Sequence, residues 1–193
     1  MRTQHEIGTR ERIVRATSRL MQRQGYEATG LKQISQDAQA TLGSVYHFFP
    51  GGKRELGVEA IRHGGREFAE FLRAAFAEED DPAAAIVACT RDLAAGLRDS
   101  GWLDGCPVTI TALESAGLVP ELQQAAEDAY ENWRALVRGK LAGSGFAGDV
   151  AHDLAHTVIN LLEGAELSAQ VSQSEAPLEI AGRHLAVLID SYR

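Results

Sequence analysis

Cysteine, proline and long apolar runs are all scarce in this chain of 193 residues. Cys89 and Cys106 are too few for a disulfide framework and suit a reducing, cytoplasmic compartment. No stretch of about 18 consecutive apolar residues occurs, so no segment is expected to span a bilayer and no membrane partner is expected. The opening MRTQHEIGTRERIV lacks the apolar centre of a secretion signal. Alternation of the kind that marks a strand never persists, and there is no internal repeat or low-complexity tract. Catalytic signatures are missing as well: no GxSxG elbow, P-loop, GxGxxG or HExxH is present. His152 and His156, with Asp149 and Asp153, share one predicted helix, but no further ligand follows at a recognisable spacing. No metal, cofactor or catalytic residue is therefore expected, and Cys106 has no evident base beside it.

What is present is a globular composition, 45% hydrophobic and 24% charged, long enough to bury a core without staples. The net charge of -8 is unevenly spread. Residues 1–62 hold ten Lys/Arg against six Asp/Glu, a net of +4, and the remaining 131 residues carry nine against twenty-one, a net of -12. A basic head on an acidic body is the asymmetry expected when only the head meets a polyanion.

Helical periodicity runs throughout. Ile13, Ala16, Thr17, Leu20 and Met21 fall on one stripe, with Arg12, Arg15, Arg19 and Arg23 on another face. Gly25 is placed to stop this helix, with Tyr26 as an anchor after it. A second short helix is expected over about Leu31 to Ala38 with Thr29 as its N-cap, and a third from Leu42 to Phe49 capped by Thr41 and closed by Pro50-Gly51-Gly52. A long helix follows from Lys53. Further helices are expected near 83–98, 108–117, 120–142, 147–172 and 176–191, with Asp81-Pro82 opening the first of these. The fold class is all-α, about nine helices, with a three-helix head at 1–52 and a larger bundle over 53–193.

The stretch 30–49, GLKQISQDAQATLGSVYHFF, has the form of a helix-turn-helix, two short helices joined by about four residues. Leu31, Ile34, Ala38, Val45 and Phe49 are spaced to pack on Ile13 and Leu20. The other face of the second helix then presents Thr41, Gly43, Ser44 and His47. Gly43 lets backbone approach a phosphate or base, and the hydroxyls of Thr41 and Ser44 can donate to either. Lys32 is a phosphate candidate by charge alone.

These residues resemble the TetR family of transcriptional regulators. The resemblance rests on Gly25-Tyr26, Thr29, Ile34, Ala38, Gly43-Ser44, the run Val45-Tyr46-His47-Phe48-Phe49, and Lys53 with Leu56, and covers about residues 9–62. The Pro50-Gly51-Gly52-Lys53 corner, Gly105-Cys106-Pro107-Val108 and Ala112-Leu113-Glu114 look like the LmrA/YxaF-like subgroup. The resemblance implies that the head binds a double-stranded operator, that Thr29, Tyr46, His47 and Lys53 contact phosphates, and that Thr41, Gly43 and Ser44 enter the major groove. Two positions depart from the pattern. Gln39 stands where the family usually has glycine, so either it takes a less favourable backbone angle or the turn differs. Leu42 stands where relatives commonly carry lysine or another polar residue, and it could touch a thymine methyl or pack inward.

The body has two expected tasks. One is homodimerisation, since one short recognition helix reads too few bases. The family's last two helices form an intersubunit four-helix bundle, which implies Leu154, Val158, Leu161, Leu162, Ala165, Leu185 and Leu188 at an interface, with the small residues Ala155, Gly164 and Ala169 allowing close approach. The other task is sensing. Phe68, Phe71, Leu72, Trp102, Cys106, Ile110, Leu113, Trp133 and Val137 lie on helices that the family uses around a ligand cavity, so the resemblance implies a small apolar or aromatic effector that releases a repressor from a palindromic operator. Two other readings stand beside this one. They are a helical interaction module that has lost DNA binding, with Gln39 and Leu42 as the marks, and an all-α enzyme without a recognisable motif.

Overall fold

A computed structural model describes residues 7–193; the part of the opening stretch read above as lacking a leader, residues 1–6, lies outside it. Among the described residues there are nine α-helices and no strand. They are α1 (Thr9–Ala28), α2 (Leu31–Asp37), α3 (Leu42–Phe48), α4 (Gly52–Glu78), α5 (Pro82–Asp99), α6 (Pro107–Glu114), α7 (Pro120–Gly143), α8 (Gly148–Ser172) and α9 (Ala176–Asp190). The sixth helix is shorter than the expected 108–117. It ends at Glu114, and Gly117 turns the chain with φ of +73°.

The chain divides into two compact units. The first comprises residues up to Gly65 together with Pro107–Ala129, and the second comprises Arg66–Cys106 with Tyr130–Arg193. The long helices α4 and α7 each contribute residues to both.

In the first unit, α2 and α3 bury one face against α1. Ile13, Val14, Ala16, Ile34, Ala38, Val45, Phe49 and Leu56 form its core, with Leu20, Leu31 and Ala40 packed on it. Ile13, Ile34, Ala38, Val45 and Phe49 are in it as the spacing predicts, Leu20 and Leu31 only flank it, and Val14 is an addition. Two adjacent phenylalanines divide their tasks: Phe49 is fully buried, whereas Phe48 is 37% exposed and sets its ring edge to the His47 ring at 5.0 Å. Truncating Phe49 to alanine should cost about 3–5 kcal/mol.

Gly25 marks the end of regular α1, as expected. Its φ of +79° and ψ of 175° lie where an L side chain rarely goes, and the four residues after it form a separate turn. The capping of α2 differs from expectation. Gly30 occupies the N-cap, while the Thr29 side chain points inward, fully buried, and donates its hydroxyl to the Gly25 carbonyl at 2.7 Å.

In the second unit, Asp81 caps α5 by accepting the Ala84 amide at 2.8 Å, with Pro82 in the first turn. α5 packs against α9 and α8 through Ala94, Leu97, Ala165, Ala169, Leu178 and Ala181. A second apolar grouping surrounds the fully buried Trp133, whose ring meets that of Phe68 edge-on at 4.7 Å. No helix is long and apolar enough to cross a membrane among the described residues.

Candidate nucleic-acid interface

α3 is held by its buried Val45 and by Phe49 just beyond its end, so its remaining faces are free to meet a partner. Thr41 is the N-cap: its Oγ1 accepts the Ser44 amide at 3.0 Å and lies 2.9 Å from the Ser44 hydroxyl. Gly43 is exposed, and a Cβ built there would meet nothing closer than the Thr41 hydroxyl at 3.7 Å. Packing within the chain therefore does not require glycine at this position. Tyr46 and Leu42 are 51% and 42% exposed, and His47 is exposed beside them. Leu42 therefore does not pack inward. It adds an apolar edge to an otherwise polar surface.

The turn before α3 settles the other departure. Gln39 has φ of +50°, the left-handed conformation that glycine adopts at no cost, so the turn keeps its shape and the glutamine carries the strain.

The cations of the head are distributed differently from a simple basic face. Arg19 pairs with Asp37 at 2.9 Å, Arg15 with Glu11 at 2.8 Å, and Arg10 with Glu59 at 2.7 Å. Arg12 is half-buried and donates to the carbonyls of Ala38 at 3.1 Å and Ile7 at 3.0 Å, which ties the end of α2 to α1. These side chains brace the motif, so the net positive charge of the head overstates what is on offer to DNA. Lys32 is exposed on α2. Lys53, in the first turn of α4, donates its Nζ to the Glu27 carbonyl at 2.9 Å and lies 4.6 Å from the centre of the Tyr26 ring. With its hydroxyl buried, Thr29 offers no donor to a phosphate; its contribution is to hold the turn that leads into α2.

The residues expected around a ligand cavity are divided between the two units. Phe68 meets Phe71, with ring centres 5.7 Å apart, and Trp133; Leu72 and Val137 are buried in the same unit. Trp102 instead packs on the α5–α8–α9 core, with a left-handed φ of +67°. Ile110 and Leu113 belong to the first unit, and Leu113 is 66% exposed, so it lines no buried cavity there.

Cys106 has companions that its sequence neighbours do not reveal. Its sulfur and one carboxylate oxygen from each of Glu163 and Glu166 lie within 4.8 Å of one another. Burial, with the Glu163 charge adding to it, pushes the Glu166 carboxyl up to about 8. The signal in the sequence was a pair of acids three apart in the otherwise uncharged run of 158–171. Cys89 is a different case: burial, and then Asp92, push its thiol up to about 12, so it stays protonated and inert.

The interface expected on α8 and α9 needs correction too. Leu154, Val158, Leu162, Ala165 and Leu185 turn inward and close the core of their own unit, as do Ala155 and Ala169. Leu188 is half-buried, and Leu161 is 38% exposed. Beyond the exposed Asp149, His152 and Asp153 of its first turns, the outward stripe of α8 is Thr157, Asn160, Leu161, Gly164, Ser168 and Val171, a stretch without a charge. A helix with apolar residues on more than one side has two candidate faces, and sequence spacing chose the more apolar one.

A helix-turn-helix with a polar outer face, carried in a wholly helical chain, defines the class of DNA-binding regulators. Comparison with known proteins agrees. Residues 13–60 match the family model described as "Bacterial regulatory proteins, tetR family", and residues 82–184 match "Transcriptional regulator LmrA/YxaF-like, C-terminal domain". The HTH-type transcriptional regulator YxaF of Bacillus subtilis is 33% identical over 181 residues, covering 94% of this chain and 95% of that protein. LmrA of the same organism, also an HTH-type transcriptional regulator, is 34% identical over 175 residues, covering 88% and 90%. Among solved structures, a TetR regulator from Legionella pneumophila superposes with a TM-score of 0.81 at 24% identity, covering 93% of this chain and 96% of that one. A regulatory protein TetR from Rhodobacter sphaeroides gives 0.80 at 25% identity, covering 91% and 95%. The chain belongs to the TetR family of transcriptional regulators and carries the LmrA/YxaF-like C-terminal domain. It is a DNA-binding regulator and not an enzyme.

Proposed function

We propose that this regulator is a cytoplasmic homodimeric repressor that reads a palindromic operator and leaves it on binding a small effector. The observation that carries the reading is the outer face of α3. Thr41, Gly43, Ser44, Tyr46 and His47 are presented to solvent on a helix whose Val45 is fully buried. In the proposed complex Thr41, Gly43 and Ser44 enter the major groove, Leu42 meets a thymine methyl, and Lys32, Tyr46, His47 and Lys53 contact phosphates. Two copies related by a two-fold axis read half-sites about 34 Å apart, or a multiple of that spacing. The uncharged outer stripe of α8 supports dimerisation, and a Cβ at Gly164 would meet nothing within 4 Å of its own chain.

A mobility shift tests the reading, using duplex from upstream of the coding region and a random-duplex library at two salt concentrations. Release on adding the effector completes the test. Affinity that falls steeply with salt on a selected palindrome supports the proposal, and no selected duplex at either salt sinks it.

For the effector, the Phe68–Phe71–Trp133 group favours an apolar or aromatic molecule. The second unit's Glu163 and Glu166 favour one that also carries a basic nitrogen. Thermal shift with matched neutral and cationic aromatic compounds separates the two.

A further inference from the structure

The exit of α1 is held from three directions, all within the first unit. Glu114, the last residue of α6, accepts the backbone amide of Tyr26 and, at 3.3 Å, that of Glu27. Lys53 donates to the Glu27 carbonyl at 2.9 Å and covers the Tyr26 ring. Thr29 donates to the Gly25 carbonyl at 2.7 Å. A carboxylate therefore sits on the N–H side of Glu27 and an ammonium on its C=O side. The two charges thus hold neighbouring peptide groups, Tyr26–Glu27 by its amide and Glu27–Ala28 by its carbonyl. Gly25 makes the approach possible: a Cβ there would lie 2.1 Å from the Glu114 Oε1.

Stability alone is a poor account of this arrangement. Glu27 and Glu114 are exposed, and exposed charged contacts contribute little to folding. What the three contacts do fix is where the Lys53 ammonium lies relative to the head.

We propose that Glu114 is a positioning residue for DNA recognition: through the Tyr26–Glu27 backbone it holds Lys53 where the ammonium can meet an operator phosphate. This rests on the operator reading above. α6 thereby acts on the DNA-binding surface through two amides, without itself touching DNA.

The test is a double-mutant cycle on a duplex that the wild-type protein selects from a random library, combined with amide hydrogen exchange on the full chain without DNA. Glu114→Ala should weaken binding about tenfold, the size of one lost charge-assisted contact. It should add almost nothing in a Lys53→Met background, and it should speed exchange at Tyr26 and Glu27. Glu114→Gln keeps an acceptor oxygen, so it should retain most of the protection and lose only about threefold in affinity; it also decides the matter if the alanine variant does not fold. Additive effects of the Glu114 and Lys53 substitutions overturn the proposal, as does wild-type affinity in Glu114→Ala. Unchanged exchange at both amides shows that the hold does not exist in solution. If the wild type selects no duplex, the operator reading fails and the positioning role with it, and the exchange result then describes a structural cap alone.

Discussion

Gln39 and Gly43 lie on either side of the start of α3, and they respond to substitution in opposite ways. Gln39 takes a left-handed backbone, with φ of +50°. Gln39→Gly should therefore raise stability by up to about 1 kcal/mol, visible as a higher melting temperature with DNA binding retained. At Leu42, where the family resemblance implies lysine or another polar residue, the side chain is 42% exposed beside the residues proposed to face the groove. Leu42→Lys should tighten operator binding and steepen its salt dependence by about one phosphate contact, read from the slope of log affinity against log salt. An unchanged slope would place Leu42 away from the backbone. Two residue roles could be seen in the sequence because they depend on neighbours within a turn, Thr41 as a cap and Gly25 as a stop; at Gln39 the resemblance left open strain or a different turn, and its φ of +50° is the strained alternative. The burial of Phe49 was legible from its spacing, but the burial of Thr29 and the partners of the α1 arginines depend on contacts distant in the chain, and no spacing rule reports them.

Among the elements, α8 shows most clearly where sequence reading ends. Its helical period and its limits are legible, with Gly148–Ser172 against an expected 147–172. Which side faces out is not, because small and apolar residues occur on more than one side. The exposed stripe now allows a direct experiment. Gly164→Arg meets no atom of its own chain within 4 Å at Cβ, so the fold should survive while a bulky charge enters the proposed dimer face. Light scattering should show the wild type as a dimer and the variant as a folded monomer. A variant that remains dimeric puts the interface elsewhere. The same helix carries Glu166, whose pKa is raised from the carboxylate value of 4.5 to about 8, burial first and Glu163 second. The folded state then holds a proton that the unfolded chain releases. The sign follows: this contribution is complete below about pH 4.5, declines as pH rises, and is gone above about 8. The melting temperature should fall between about pH 5 and 8, and Glu166→Gln should flatten that fall. An equal fall in the variant would assign it to other groups.

Over the whole molecule, two compact units share a chain whose charge is strongly divided between its ends. The all-α architecture was legible because nine amphipathic periods, separated by Gly, Pro and acidic breaks, leave no segment for a sheet. The helix-turn-helix was legible because a polar face remains once Ile34, Ala38, Val45 and Phe49 are assigned to the core. How 107–129 joins the head in one unit was not, since that association is between segments separated in the chain by residues 66–106. The central claim is that the outer face of α3 reads DNA, and Gly43 tests it most directly. Its Cβ position is open, so Gly43→Glu should leave the fold and melting temperature nearly unchanged while setting a carboxylate against the groove. The measurement is operator affinity of this variant and of the wild type at two salt concentrations, by fluorescence anisotropy. The account predicts salt-dependent binding by the wild type and loss of at least about a hundredfold in the variant, as expected when a buried like-charge repulsion replaces a close approach. A folded Gly43→Glu protein that binds the same duplex as tightly as the wild type would contradict it.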